Sequence, residues 1–217
     1  MLFINATKFM LDLDKESDFE DTFFTVSRTS EGLYKDRSSK FHYYSFPVKN
    51  EDEIKIHLSD LRKKYFDARH HCFAWALGKD GERFRANDDG EPNHSAGDPI
   101  LGQIRSNNLT NILIVVVRYF GGTKLGIGGL IQAYKTSAAL AIEENEIVEE
   151  QVKASVEIHF PYPVMNDVMK LIKTHDLQII AQEMALDCQM MLEFRKGLQE
   201  LIVNSLEEIE GLQLISP

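Results

Sequence analysis

The segment IVVVRYFGGTKLGIGGLIQAY, residues 114–134, contains the pattern that decides the fold of the first half of the chain. It continues an uninterrupted apolar run, Ile112–Val117, which is typical of a central β-strand covered on both faces. Five glycines then fall within nine positions, and a pattern with apolar side chains at helical spacing begins near Gly128. The segment therefore predicts a strand, a glycine-rich turn and a helix that packs on the sheet.

The residues before this segment predict further strands and another helix. Thr22–Ser30 and Phe41–Val48 have the β-branched and aromatic composition of strands. The polar residues between them, Glu31–Lys40, predict a connection. Asn50 is a suitable N-cap for the amphipathic helix that follows it. His70–Leu77 predicts another strand, which is followed by turns rich in Asp and Gly.

The second half of the chain has a different order of predicted elements. From about Val152 the patterns alternate as β-α-β-β-α-β, which is the ferredoxin-like arrangement. The charged segment Glu143–Lys153 is the predicted junction between the two halves. We therefore predict an α+β protein with two α/β sandwich domains, residues 21–148 and 151–217, preceded by a loosely held N-terminal extension, residues 1–20.

The composition narrows the possible partners and the compartment. No stretch approaches the roughly 20 apolar residues that a membrane helix needs, so no membrane partner is predicted. The two cysteines, Cys72 and Cys188, are too few for a disulfide scaffold and predict a cytoplasmic protein. The formal net charge of -10 argues against non-specific DNA binding, because binding through phosphates needs a basic footprint.

The glycine-rich turn matches neither standard nucleotide-binding motif. Gly126 and Gly128 are followed by Ile131 where G-x-G-x-x-G requires glycine, and the Walker pattern is also absent. We therefore predict no cofactor. The free N–H groups at the start of the helix, with Lys124 and Arg118, would nevertheless suit an anion. Alternatively, the glycines only allow the helix to pack closely against its strand.

Arg118 is the most informative charged residue, because it follows a buried strand, where an unpaired charge is costly. It needs either a carboxylate of the protein or an anion from outside. The segment NDDGE supplies three carboxylates, Asp88, Asp89 and Glu91. The sequence is compatible with either kind of partner.

The segment ARHHC, residues 68–72, contains side chains that can bind metals or act as nucleophiles. Neighbours on a strand point to opposite faces, so only His70 and Cys72 could share a metal, and no zinc-binding spacing is present. The adjacent His and Cys cannot face each other as a nucleophilic pair. Asp88 and Asp89 could serve as an acid–base pair, but they match a tight turn better. We therefore predict neither a metal site nor a catalytic residue.

Three segments, DARHHCFAWAL, NDDGEPNHSAGDPILGQI and VVVRYFGGTKLGIGGLIQAY, resemble the YigZ/IMPACT family in order and spacing. The last carries that family's signature, a strand ending in Arg-aromatic-aromatic-Gly-Gly and then Leu-Gly. The agreement covers roughly Leu33–Tyr134, and the C-terminal half is similar to the second domain of bacterial members. The resemblance implies a first domain like domain IV of elongation factor G and a ferredoxin-like second domain.

The resemblance also implies a partner in translation. Similarity to a translation factor points to a ribosome, an RNA or a translation-related protein. Eukaryotic relatives act in translational control through an extra N-terminal domain, for which the residues before the first predicted strand leave no room. That particular activity is therefore not expected here.

These observations lead to two functional hypotheses and a structural alternative. The first is a non-enzymatic, translation-associated regulatory or binding protein. The second is an enzyme acting on a small anionic or phosphorylated substrate that Arg118 and the glycines would hold. In the structural alternative, Arg118, the carboxylates of NDDGE and the glycines only stabilise the fold. The residues predicted to bind an anion, RNA or partner are Arg69, His70, Asp88, Asp89, Glu91, Arg118, Gly121, Gly122, Lys124, Gly126, Gly128 and Gly129.

Overall fold

The structure, a computed structural model, describes residues 21–215. Within these residues the chain divides into two compact units. The first comprises Phe23–Glu150, and the second comprises the residues from Gln151 onward together with Asp21 and Thr22. The predicted N-terminal extension, residues 1–20, lies outside the described residues.

The first unit is built on a five-stranded antiparallel sheet. In order across the sheet its strands are β2 (Ser30–Asp36), β3 (Ser39–Pro47), β6 (Ile112–Tyr119), β4 (His70–Leu77) and β5 (Arg83–Asn87). A separate two-stranded sheet pairs β1 (Thr22–Val26) with β7 (Ile147–Gln151). The helices of this unit are α1 (Glu51–Lys64), α2 (Gly97–Ser106) and α3 (Gly126–Glu143). No helix within residues 21–215 has both the length and the apolar composition needed to cross a membrane.

β6 is the middle strand of the five-stranded sheet and is covered on both faces. Alternate side chains of Ile112–Val117 pack with α2 and α3 on one face and with α1 on the other. All six side chains are fully buried. The prediction of a central strand from the uninterrupted apolar run is therefore confirmed.

α1 begins at the predicted cap. Asn50 Oδ1 accepts the backbone N–H groups of Asp52 and Glu53, each at 3.0 Å. The first turn of α1 is acidic and the last turn is basic, which is the favourable arrangement for the helix dipole. α3, by contrast, begins without a side-chain cap and has no acidic residue in its first turn.

The prediction of a polar connection over Glu31–Lys40 was wrong. Most of that segment belongs to β2 and to the start of β3, which are joined by a tight turn at Arg37 and Ser38 with φ of 43° and 67°. β2 is an edge strand whose side chains alternate between exposed and partly buried, so it contains polar residues that a buried strand would not. The edge strand β5 was not predicted for the same reason, because it carries the exposed polar residues Arg83 and Arg85.

The second unit has the predicted order of elements, β-α-β-β-α-β. They are β8 (Lys153–Pro161), α4 (Met165–Thr174), β9 (Gln178–Glu183), β10 (Asp187–Arg195), α5 (Gln199–Glu207) and β11 (Gln213–Ile215). The strands form an antiparallel sheet in the order β11-β8-β10-β9. Both helices pack on one face, against alternate side chains of β8 and β10 such as Ile158 and Met190. The predicted α+β class with a ferredoxin-like second domain is confirmed.

Candidate functional site

The residues that the sequence predicted as a site are gathered at one end of the five-stranded sheet. Arg118, near the end of β6, lies opposite His70, which begins the antiparallel strand β4. Asp88–Glu91 follow the end of β5, and the glycine segment follows the end of β6. We call this end of the sheet the signature end. It consists of residues 36–40, 69–70, 88–91 and 118–129.

Arg118 forms an ion pair inside the protein. Its Nη1 donates a hydrogen bond of 2.7 Å to Glu91 Oε1, and the two side chains are only 7% and 4% exposed. The rings of Phe41 and Phe120 lie 5.6 and 5.7 Å from the guanidinium carbon, within the range of a cation–π contact. Of the two partners that the sequence left open, the structure therefore contains the internal carboxylate, Glu91.

Cys72 and Tyr134 extend this buried network. The Tyr134 hydroxyl donates to Glu91 Oε1 at 2.8 Å, and the Cys72 thiol contacts the Asp88 carbonyl at 3.0 Å and the Tyr134 oxygen at 3.3 Å. Burial raises the pKa of the Cys72 thiol far above its ordinary value. The thiol therefore remains protonated at neutral pH, which makes Cys72 a poor nucleophile.

Asp88 organises the loop between β5 and α2. Its Oδ1 accepts the N–H groups of Ala96 and Gly97 at 2.9 and 2.8 Å, and its Oδ2 accepts that of His94 at 2.8 Å. Burial raises the pKa of the Asp88 carboxyl, but the N–H groups of Gly97, His94 and Ala96 lower it more, so the pKa lies below its ordinary value of 3.8. The carboxylate thus binds the first N–H groups of α2, as an N-cap does.

The Asp88→Asn variant is expected to lower the free energy of unfolding by about 1–2 kcal/mol at neutral pH, because the amide offers one acceptor oxygen instead of two. The folded-state pKa of Asp88 is lower than the unfolded one, so its contribution is complete above the unfolded value and is lost as the pH falls through the folded value. Urea denaturation should therefore show that the difference between wild type and variant shrinks as the pH falls below about 4. A difference that stays constant with pH, or that appears equally in the turn variant Asp80→Asn, would contradict this role.

Asp89 and His70 hold the turn formed by residues 88–91 against the start of β4. Asp89 Oδ2 accepts the N–H of His71 at 2.7 Å, and its Oδ1 lies 3.2 Å from Arg62 Nη2. His70 Nδ1 is 3.0 Å from the Asp89 carbonyl oxygen. These contacts match the turn interpretation of NDDGE. Among residues 21–215, no three His, Cys, Asp or Glu side chains are grouped so that they could hold a metal ion.

The five glycines of the glycine segment, residues 121–129, divide into two kinds. A Cβ on Gly121 would fall 2.0 Å from the Ser38 carbonyl carbon, so this glycine is required by close packing of the main chain. A Cβ on Gly129 would lie 3.0 Å from Leu125 Cβ. In contrast, a Cβ on Gly122, Gly126 or Gly128 would meet no atom within 4 Å. Packing therefore explains two glycines and leaves three on an open surface.

Sequence reasoning missed one part of this end of the sheet. Arg37 and Lys40 lie beside the glycine segment, because the β2–β3 turn contacts Gly121 and because Lys40 is paired with Tyr119. The polar composition of their segment predicts a connection, so the pairing that brings these cations to the site could not be predicted. Lys40 precedes the predicted strand Phe41–Val48, and the two-residue period of a strand could have indicated that Lys40 shares a face with His42 and Tyr44.

Comparison with known proteins agrees with the resemblance noted in the sequence. The model of the Impact N-terminal domain matches residues 37–142. IMPACT family member YvyE of Bacillus subtilis is 35% identical over 131 residues, which are 60% of this chain and 60% of that protein. The IMPACT family member in pol 5'region of Thermus thermophilus is 34% identical over 140 residues, which are 64% of this chain and 75% of that protein.

A solved structure supports the fold across both units. The crystal structure of a hypothetical protein superposes with a TM-score of 0.71 at 24% sequence identity, covering 91% of this chain and 98% of the other. Fold and site together define a two-domain α+β protein with a ferredoxin-like second domain and an Arg-aromatic-aromatic-Gly-Gly end on its central strand. The chain belongs to the YigZ/IMPACT family. The match spans less than two thirds of the Bacillus subtilis relative's length.

Proposed function

We propose that the chain is a non-enzymatic, translation-associated regulatory or binding protein that contacts a ribosome, an RNA or a translation-related protein through the signature end. The proposal rests on one observation above all. Three side chains at or next to this end that could perform chemistry, Cys72, Asp88 and Glu91, are engaged in hydrogen bonds within the protein. The open part of the surface instead carries glycines and cations. The family resemblance supports the link to translation, and such a partner would place the protein in the cytoplasm.

The charges of the signature end support an anionic partner. Arg37, Lys40, Arg69 and Lys124 are exposed, and none of them forms an ion pair within residues 21–215. α3 adds the free N–H groups of an uncapped N-terminus. A chain with a formal net charge of -10 therefore presents a local basic surface. This combination favours a specific contact with a folded partner over non-specific binding to nucleic acid.

The alternative hypothesis, an enzyme that binds a small anion through Arg118, receives less support. Arg118 Nη1 already pairs with Glu91, and the carboxylate is too buried to move away without leaving both charges unpaired. An anion at the glycine segment would meet Lys124 and main-chain N–H groups. The carboxylates that could act there as acid or base, Asp88, Asp89 and Glu91, are engaged within the protein.

Co-sedimentation with ribosomes tests the proposed function. Replacing both Arg69 and Lys124 by Glu is expected to weaken binding by about tenfold and to reduce its dependence on salt, because contacts with phosphate or acidic groups are lost. The matched control is the double variant with Lys49→Glu and Lys79→Glu. These lysines lie beyond the opposite end of the same sheet and give the same change in net charge.

Two ribosome preparations separate the possible partners. Binding to salt-washed ribosomes would indicate the ribosome or its RNA, whereas binding only to unwashed ribosomes would indicate an associated translation factor. Failure to pellet with either preparation at about 50 mM salt would contradict the proposal. An equal loss of ribosome binding in the control variant would contradict the role of the signature end.

A further inference from the structure

A pocket lies at the signature end on the face of the sheet that α1 covers. Its volume is about 380 Å³, which is within the range of clefts that bind small ligands. No carboxylate is among the side chains that line it. They are Ser38, Lys40, His42, Tyr65, Tyr119 and Phe120.

Hydrogen bonds hold the aromatic wall of this pocket in place. The Tyr119 hydroxyl donates to Asp67 Oδ1 at 2.6 Å, and the Tyr65 hydroxyl is hydrogen-bonded to that of Tyr44 at 2.5 Å. His42 lies between these rings, with its centroid 5.1 Å from that of Tyr65 and 5.9 Å from that of Tyr119. The rings are therefore ordered before any ligand arrives, which reduces the entropic cost of binding.

Phe120 forms the outer edge of the pocket and is the only lining ring that has no polar atom. It is 57% exposed, although its neighbour Tyr119 is partly buried. Its ring contacts the Arg118 guanidinium at 5.7 Å from the centroid. An exposed, flat ring beside an ordered aromatic wall is the kind of surface on which an unpaired base stacks.

Two cations lie at or beside the pocket. Lys40 lines it and Arg37 lies in the adjacent turn, and neither forms an ion pair within residues 21–215. Lys64 Nζ lies 5.5 Å from the Tyr65 ring. Burial, followed by the charges of Lys40 and Lys64, lowers the pKa of His42, so its imidazole is neutral at neutral pH. Lys64 is paired with Glu31 at 3.2 Å, so Lys40 and Arg37 supply the positive charge that phosphates need.

We propose that this pocket binds an unpaired nucleotide of single-stranded RNA, whose base stacks on Phe120 and whose flanking phosphates contact Lys40 and Arg37. This inference rests on the proposed function and names RNA as the partner class. An acidic peptide would also satisfy the two cations. A nucleotide, however, uses the ring faces through its base and the cations through its phosphates.

Fluorescence anisotropy of a short labelled oligouridylate, titrated with the full chain at low salt, tests this proposal. Phe120→Ala and Lys40→Glu are each expected to weaken binding by about tenfold, through lost stacking and lost charge respectively. Phe66→Ala removes another exposed phenylalanine, and Lys49→Glu makes the same charge change beyond the other end of β3. Both controls should leave the affinity within about twofold of wild type.

A second ligand tests the proposal on the wild-type chain alone, so the result does not depend on whether the variants fold. An abasic oligomer with the same number of phosphates should bind the wild-type chain about tenfold more weakly than oligouridylate. Equal binding of the two oligomers, no binding of oligouridylate, or equal losses in the controls would overturn the proposal. An acidic peptide of equal charge that binds as tightly as the RNA, and is weakened by the same two variants, would assign the pocket to a protein partner instead.

The two experiments can fail separately. Ribosome pelleting that depends on Arg69 and Lys124, without any binding of oligouridylate, would support the proposed function and remove only the nucleotide pocket. Binding of oligouridylate that depends on Phe120 and Lys40, without pelleting, would support the pocket and contradict the contact with ribosomes.

Discussion

Replacing Arg118 by alanine is expected to lower the free energy of unfolding by about 3–5 kcal/mol, because the change leaves the buried Glu91 carboxylate without its cation. Within residues 21–215, the Glu91 carboxylate would retain only the hydrogen bond from the Tyr134 hydroxyl. The packing of Phe41 and Phe120 against the guanidinium would be lost as well. Urea denaturation at neutral pH, followed by tryptophan fluorescence, measures the change, since Trp75 is buried in the same unit.

Two further variants separate the charge effect from a simple loss of packing. The double variant Arg118→Met with Glu91→Gln removes both charges but keeps an oxygen that can accept from Tyr134, so it should recover at least half of the loss. Arg85→Ala, on the exposed edge strand β5, should change the stability by less than about 0.5 kcal/mol. A loss below about 1 kcal/mol in Arg118→Ala would show that the pair is not a major source of stability.

Substituting alanine for Gly121 is expected to lower the stability by about 3 kcal/mol, because the new Cβ would overlap main-chain atoms that cannot rotate away. The Cβ would lie 2.0 Å from the Ser38 carbonyl carbon and 2.3 Å from Ser39 N. The hydrogen bond from Gly121 N to Ser39 Oγ would also be disturbed. The same denaturation measurement applies.

Gly128→Ala is the matched control in the same segment. A Cβ at Gly128 meets no atom within 4 Å, and the residue lies in the first turn of α3. Alanine there should stabilise the chain by about 0.5 kcal/mol, since glycine is a poor helix former. Equal stability of the two variants would mean that the glycine segment and the β2–β3 turn are not in close contact.

The sequence was sufficient to predict the buried elements, because their hydrophobic patterns reflect packing in the core. The apolar run of β6, the Asn50 cap and the order of elements in the second unit all result from local propensity and hydrophobic periodicity. The edge strands β2 and β5 were missed, because strands that face solvent can carry Lys, Arg and Asp without loss of stability. That error concealed the approach of Arg37 and Lys40 to the site.

The candidate site could be predicted as a set of residues but not as a set of contacts. NDDGE contains three carboxylates, and only the folded turn determines that Glu91 reaches Arg118 whereas Asp88 binds the N–H groups of α2. The same limit applies to the glycines. Gly121 and Gly128 are equivalent in a sequence pattern, yet one is packed against main chain and the other faces open space.

The Arg118–Glu91 pair also determines how the central strand is aligned with its neighbours. Ile112–Val117 is apolar at every position, so sliding β6 by two residues along β3 and β4 would bury similar side chains. Such a slip would move Arg118 by about 7 Å and separate it from Glu91. Two buried charges would then be unpaired, at a cost of several kcal/mol. The pair therefore selects one register among several that hydrophobic burial alone does not distinguish.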